Sequence, residues 1–141
     1  MRWGVVVVLL AMMVAGCSPK PIGAIVADTP REEWKSDRVV ALHYDNNDTL
    51  SLRTLGMVAR VESGAAEEKI DLVVECESPT GKSFESKVVL TPKSGQRGGS
   101  FREYEAEWVE DAQLFESGDY EFRVAPVGSL RGVWSVGITI R

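Results

Sequence analysis

The residues of this sequence with the clearest chemical potential are its two cysteines and its single histidine. Cys17 follows Val14-Ala15-Gly16, a run of small and apolar residues typical of the site where bacterial lipoprotein precursors are cleaved and acylated. Its thiol can form a thioether with a diacylglycerol, and the amine freed by cleavage can accept a further acyl chain. We therefore predict that residues 1–16 are a lipoprotein signal peptide and that Cys17 is the site of lipid attachment.

The segment before Cys17 supports this interpretation. Arg2 gives the segment a charged start, and an apolar run extends from Trp3 to Ala15. A helix needs about 20 apolar residues to cross a bilayer, so the run is too short for a spanning anchor but suits a signal-peptide core. The alternative is an ordinary secretory signal that is followed by a cysteine by chance.

His43 and Cys76 give a weaker indication of chemistry. His43 alternates in phase with Val39 and Ala41, which predicts a core or boundary imidazole. Cys76 lies on an apolar strand face, where a thiol is usually an inert packing group. A nucleophilic Cys–His pair would require the two side chains to meet in space, and one histidine with one thiol is too small a ligand set for zinc. We therefore predict no catalytic residue, no metal and no cofactor.

Carboxylates occur in two patterns that could bind calcium. Glu103, Glu105 and Glu107 alternate along one run, which is typical of a solvated strand face protected from edge pairing. Residues 45–48 read Asp-Asn-Asn-Asp, a turn signal that lacks the residue spacing of an EF-hand loop. Both patterns are therefore interpreted as structural.

Asp48-Thr49-Leu50 is a candidate modification signal. It resembles the Asp-Thr-apolar motif for O-glycosylation of envelope proteins in Bacteroidetes, so Thr49 is a candidate glycan site. The overlapping Asn47-Asp48-Thr49 has the form of an N-glycosylation sequon, which carries less weight in a bacterium.

The charge balance bears on the partners of this protein. The chain has a formal net charge of −5 at pH 7, and Arg2 alone of its charged residues lies within 1–16. Nucleic acids require a basic patch, so we expect no nucleic-acid partner. Electrostatic adhesion to an anionic membrane is also disfavoured, so the acyl chains must hold the protein, at about 0.8 kcal/mol per buried methylene.

The elements that position these residues are predicted to be strands, because the hydrophobic period from residue 38 onward is two rather than 3.6. The runs are 38–44, 50–52, 55–61, 70–76, 84–90, 104–108, 120–124 and 134–140, with one helical turn as an option within 110–115. This pattern predicts an all-β domain over 38–141, an immunoglobulin-like antiparallel β-sandwich of seven to eight strands. A small closed β-barrel is the alternative.

Two groups of side chains are predicted to pack in the core of this domain. On neighbouring strands, the inward residues should be Trp134, Val136, Ile138, Ile140, Tyr120, Phe122 and Val124. Gly118-Asp119-Tyr120 is similar to the start of a late immunoglobulin strand, where a tyrosine hydroxyl bonds the backbone of the preceding corner. Gly118 should then adopt a conformation that other residues reach only with strain.

Residues 17–37 are predicted to be an acylated N-terminus and a tether. Pro19, Pro21 and Pro30 block regular structure, and Gly23 loosens the chain. The apolar patch 22–26 interrupts the tether, where it could dock on the domain or form a short strand. A tether of this length keeps the domain near its membrane.

Several segments resemble the gliding-motility lipoprotein H (GldH) family of Bacteroidetes. The longest runs from Glu107 to Phe122, and a second closes the sequence from Leu130 to Arg141. Trp34-Lys35-Ser36-Asp37 is similar to the opening of the family domain, and Pro79-Thr80-Gly81-Lys82 to its central turn. The family's polar Arg-Asn segment, which runs into Tyr-Pro-Tyr, is replaced here around residues 60–68.

The resemblance implies a non-enzymatic accessory lipoprotein of a gliding or envelope-secretion apparatus, which acts through contacts with other envelope proteins. Ser18 follows Cys17 where an aspartate would signal retention in the inner membrane, so we expect an outer-membrane anchor and a periplasm-facing domain. The alternative is a surface carbohydrate-binding or adhesin module, which would expose aromatic residues such as Trp34, Trp108 or Trp134 to bind a glycan.

The anchor is tested by Cys17→Ser. The variant should lose fatty-acid labelling and move into a soluble or uncleaved pool, because serine cannot form the thioether. Cys76→Ser is the matched control and should still be labelled. Continued labelling of Cys17→Ser would contradict the assignment of a lipoprotein.

Overall fold

The computed structural model describes residues 23–65, 68–96 and 98–141. The strands in these ranges are β1 (Ala24–Asp28), β2 (Val40–Asn46), β3 (Leu52–Glu62), β4 (Ile70–Glu77), β5 (Ser83–Pro92), β6 (Phe101–Gln113), β7 (Gly118–Pro126) and β8 (Val133–Ile140). A 3₁₀ turn occupies Ser63–Ala65. The prediction of an all-β domain is confirmed over the described residues. Within the described ranges, no helix is long and apolar enough to cross a membrane.

The strands form one antiparallel sheet of eight strands in the order β1-β8-β3-β6-β5-β4-β7-β2. β5 and β6 pair only at Thr91↔Glu105 and Pro92↔Tyr104, so this short joint connects two halves of four strands each. The terminal strands β1 and β2 approach each other without pairing, which leaves the sheet nearly closed. The barrel alternative therefore describes this connectivity better than a sandwich of two separate sheets.

One hydrophobic core lies inside this sheet, and most of the predicted inward residues belong to it. Val136, Ile138 and Ile140 are fully buried, as are Phe122 and Val124. Trp134 is only half-buried, contrary to the prediction. The reason is a bulge, because Arg60 pairs with Ser135 and Val61 with Val133, so the register skips Trp134 and Val133 takes the inward place.

The register of β2 differs from the prediction by one residue. Leu42 and Tyr44 are buried, whereas Val39, Ala41 and His43 are exposed. A shift of one residue exchanges the two faces of a strand. Burying Leu42 and Tyr44 removes more apolar area from water than burying valine, alanine and histidine would, which favours the observed register.

The predicted tether is largely part of the folded domain. β1 pairs with β8 from Ala24↔Thr139 to Asp28↔Ser135, which confirms the short-strand option for the apolar patch. Trp34 is fully buried, and its indole nitrogen donates to the Arg38 carbonyl at 2.6 Å. The tether boundary at residue 37 is therefore wrong, because burial of a large aromatic side chain outweighs the local effect of the prolines. β6 continues as a strand to Gln113, where a helical turn was an option.

Ile138→Ala should lower the free energy of unfolding by about 2–5 kcal/mol, because it leaves a cavity in a fully buried position. Chemical denaturation of the two proteins measures the difference. Val89→Ala removes methyl groups from a partly exposed side chain and should cost less than about 1 kcal/mol. Equal small losses in both variants would show that the inward face of β8 is assigned incorrectly.

Candidate functional site

Of the two predicted modification sites, Thr49 lies within the described residues and Cys17 does not. Cys17, the signal peptide 1–16 and the cleavage motif lie outside the described residues. Thr49 lies half-buried in the connection from β2 to β3, where its carbonyl accepts a hydrogen bond from the Gln113 side chain at 2.7 Å. Acylation of Cys17 and glycosylation of Thr49 both stay predictions.

The structure does not bring His43 and Cys76 together. His43 is exposed, with Nδ1 lying 3.0 Å from a carboxylate oxygen of Asp119, so the prediction of a core imidazole is wrong. Cys76 is buried in the core, where loss of hydration raises the pKa of its thiol to about 11. The two side chains therefore lie on opposite faces of the sheet, and Cys76 stays a neutral thiol at neutral pH.

The three alternating glutamates of β6 lie on its outer face, as predicted for a solvated strand. Glu105 and Glu107 are exposed. Glu103 is half-buried and lies 3.6 Å from the Arg60 guanidinium and 3.9 Å from the Lys93 ammonium. Within the part of the chain that the structure describes, no cluster of three or more His, Cys, Asp or Glu side chains could hold a metal ion.

The same glutamates border a depression on the outer face of β1, β8, β3 and β6, which we call the outer groove. It consists of two adjoining hollows of about 390 and 410 Å³, which share Val58, Glu105 and Arg141. Its other lining residues include Ala24, Val26, Thr54, Gly56, Arg60, Lys93, Glu103, Glu107, Ser135 and Thr139.

The floor of the outer groove consists of small residues brought together by strand register. One row across four strands reads Val26, Gly137, Val58 and Glu105. A Cβ atom on Gly137 would lie 2.8 Å from the Ile25 carbonyl oxygen, so the neighbouring backbone requires glycine there. The row therefore has an apolar part, formed by Val26 and Val58 on either side of Gly137, and an acidic end at Glu105.

The adjacent row reads Ala24, Thr139, Gly56 and Glu107. A Cβ atom on Gly56 would lie 2.5 Å from the Thr139 hydroxyl and 2.9 Å from the Ala106 carbonyl oxygen. Gly56 was not among the residues predicted from the sequence, although a lone glycine within an alternating run is a known signal of close backbone approach. Both glycines are buried, and their lack of a side chain lets the strands of this half pack closely beneath the groove.

The outer face of the other half carries a network of charges. The Arg123 guanidinium donates to Glu75 and, at 2.8 Å, to Glu77, and it lies 3.3 Å from Glu121. Hydrogen bonds to Glu75 and Glu77 hold the pKa of Arg123 above its ordinary value. This face is therefore a surface of mutually satisfied charges around a permanently cationic arginine.

The corner before β7 has the predicted geometry. Gly118 has a φ of 121°, and Tyr120 is buried with its hydroxyl accepting the Glu116 N–H at 3.1 Å. Asn46, which the sequence pattern assigned only to a turn, is also buried. Its side-chain amide donates to the carbonyls of Leu114 and Glu116 at 3.1 and 2.9 Å, which ties the corner to the end of β2.

The tryptophans that would bind a glycan are engaged within the domain. Trp34 is fully buried. Trp108 is half-buried and donates to the Ser86 hydroxyl at 2.6 Å. Trp134 is half-buried, with the Arg31 guanidinium 4.0 Å above its ring and Phe101 against its edge. None of these three rings is free to form the flat exposed platform that glycan binding uses.

The sequence matches no family model and no curated protein. Among solved structures, the chain is similar to the Clostridium perfringens CspB protease, with a TM-score of 0.44 and 13% identity over 84% of this chain and 25% of that chain. It is also similar to Pseudomonas aeruginosa AlgX, with a TM-score of 0.40 and 12% identity over 89% of this chain and 27% of that chain. The chain thus spans about a quarter of each protein, and a likeness this distant says nothing about function.

Tyr120→Phe tests the corner. The buried ring is kept while the Glu116 N–H loses its acceptor, so the free energy of unfolding should fall by about 0.5–1.5 kcal/mol in urea denaturation. Membrane attachment should be unaffected, because the predicted anchor lies elsewhere in the chain. Loss of partner binding without loss of stability would instead place this corner in an interaction surface.

Proposed function

We propose that this protein is a non-enzymatic lipoprotein of the cell envelope that is anchored through Cys17 to the outer membrane and faces the periplasm. In this proposal it is an accessory component of a gliding-motility or secretion apparatus, as the resemblance to the GldH family implies. It acts by holding another envelope protein rather than by transforming a substrate.

The sequence supports the location, and the outer groove supports the mode of action. The cleavage motif before Cys17 accounts for an anchor, and the resemblance across residues 34–141 accounts for the class of apparatus. The observation that carries protein binding is the outer groove itself, whose two hollows of about 390 and 410 Å³ open on the side of the barrel beside the exposed carboxylates of Glu105 and Glu107.

The border of the groove is suited to a partner that presents both apolar and charged side chains. Glu103, Glu105 and Glu107 supply negative charge along β6. Arg60 and Lys93 supply positive charge, and both approach Glu103. An apolar centre within a polar rim is the usual anatomy of a protein interface, and mixed charges favour one partner and one orientation over others.

The proposal is tested by reversing charge at the groove. Glu105→Lys/Glu107→Lys changes two exposed carboxylates and should leave the fold intact. Capture of cross-linked envelope proteins by the tagged lipoprotein should then lose the wild-type partner by about tenfold or more, which corresponds to about 1.4 kcal/mol of binding energy.

The matched control is Asp71→Lys/Glu85→Lys, which makes the same charge change at two exposed positions of the other half. This control should retain the partner, and circular dichroism should show that both variants are folded. Equal loss in the two variants, or loss in neither, would contradict binding through the outer groove.

A further inference from the structure

The two ends of this barrel differ in their exposed apolar side chains and in the charge of their connections. This difference affects the orientation of an anchored domain on its membrane. At one end β1 and β3 begin and β6 and β8 finish, as the pairs Ala24↔Thr139, Leu52↔Gln113 and Leu55↔Ile140 show. The connections 47–51, 78–82 and 114–117 lie at this end, which we call the proximal end. The described residues of the connections 29–39, 63–69, 93–100 and 127–132 lie at the opposite, distal end.

The most exposed large apolar side chains of the described residues lie at the proximal end. Leu50 is 84% exposed, Phe115 is 74% exposed and Leu52 is 62% exposed. Single exposed apolar residues are common on protein surfaces, but a group of them at one place marks a site of interaction.

Leu50 stands on a connection that hydrogen bonds hold in place, and Leu52 begins β3 directly after it. The Asp48 carboxylate accepts the backbone N–H groups of Leu50 and Ser51 at 3.1 and 3.0 Å and also pairs with Arg53 at 3.0 Å. The Gln113 side chain donates to the Thr49 carbonyl at 2.7 Å. Ordered connections lose little conformational entropy when they bind, which favours insertion of their tips into a surface.

Charged residues are fewer in the proximal connections than in the distal connections. The proximal connections contain only Asp48, Lys82 and Glu116 as charged residues, and both carboxylates are engaged, Glu116 by the Thr80 N–H at 3.0 Å. At the distal end, one connection alone contains Arg31, Glu32, Glu33, Lys35, Asp37 and Arg38. The proximal connections are therefore less costly to remove from water than the distal connections, whereas the strand ends beside them carry the exposed Asp45, Asp111 and Asp119.

The chain toward the predicted anchor leaves from the same end. Gly23 lies beside the end of β8, where its carbonyl accepts the Ile140 N–H at 3.3 Å. Six residue steps separate Cys17 from Gly23, a reach of at most about 20 Å even when fully extended. An acyl chain on Cys17 thus keeps the proximal end within about 20 Å of the lipid headgroups.

We propose that the proximal end docks on the lipid surface that carries the anchor, with Leu50, Leu52 and Phe115 entering the headgroup layer. This inference rests on the proposed acylation of Cys17. Insertion is confined to the tips, because Asp48 and Glu116 stand beside them and keep their charge in contact with water. Shallow entry of apolar side chains beside a lipid anchor is a general mode of interfacial attachment.

The test uses the full-length acylated protein in vesicles of phosphatidylethanolamine and phosphatidylglycerol. An environment-sensitive fluorophore is attached at Leu50→Cys or, as the matched control, at Ser94→Cys on an exposed distal connection. The buried Cys76 should stay unlabelled. The probe at position 50 should shift to the blue and be quenched by lipids that carry a quencher, and the probe at position 94 should show neither effect.

The outcomes separate this inference from the function on which it rests. Fatty-acid labelling together with a solvated probe at position 50 would contradict docking of the proximal end but would still support acylation of Cys17. Absence of both acylation and quenching would overturn the two together. A probe that is shielded in proportion to protein density but is not quenched by lipid would assign the proximal end to a second copy or to a partner protein, and would also overturn the inference.

A pair of double variants gives an independent measurement. Leu50→Ser/Phe115→Ser should transfer between vesicles several-fold faster than the wild type, because the acyl chains then hold the protein alone. Val39→Ser/Val127→Ser removes comparably placed exposed valines at the distal end and should leave the transfer rate unchanged. Equal transfer rates for wild type and Leu50→Ser/Phe115→Ser would overturn the inference.

Discussion

The two halves of the sheet are held together mainly by side chains packed between them, because β5 and β6 share backbone hydrogen bonding only over Thr91, Pro92 and Lys93. Trp108 illustrates this packing, since its ring lies 5.8 Å from Phe84 on one strand and 6.2 Å from Phe122 on another. Cys76 is a free thiol in the same interior. Burial of apolar surface is therefore the interaction on which the closure of the barrel depends.

Because the inward-facing residues must form this apolar core, only the outward-facing residues are available to shape the outer surface. Along most of the strands alternate residues are committed to the core, and the residues between them face outward. On β3 and β8 these outer positions include Gly56 and Gly137, which no other residue could replace without pushing a neighbouring strand away. On β7 the outer position of Arg123 instead organises a network of carboxylates. The same barrel therefore presents a groove on one side and a charged surface on the other.

The groove and the proximal end have complementary roles in the proposed function. The groove lies along the side of the barrel, whereas Leu50 and Phe115 lie at the end where the chain leaves toward Cys17. A domain that stands on this end would hold its side free for a partner in the periplasm. A short connection to the membrane would also confine the search for that partner to a thin layer, which raises its effective concentration.

Period-two patterning was sufficient to predict the strands, because side-chain alternation is a local property of the chain. Local chemistry likewise predicted the positive φ of Gly118 and the buried ring of Tyr120. The face of β2 that is buried, the bulge beside Trp134, the addition of β1 and the closure of the sheet were decided by tertiary structure. Each of these depends on pairing between strands distant in sequence, and a shift of one residue exchanges their faces. The outer groove belongs to the same class, since Val26, Gly137, Val58 and Glu105 become neighbours only when four separate strands take their register.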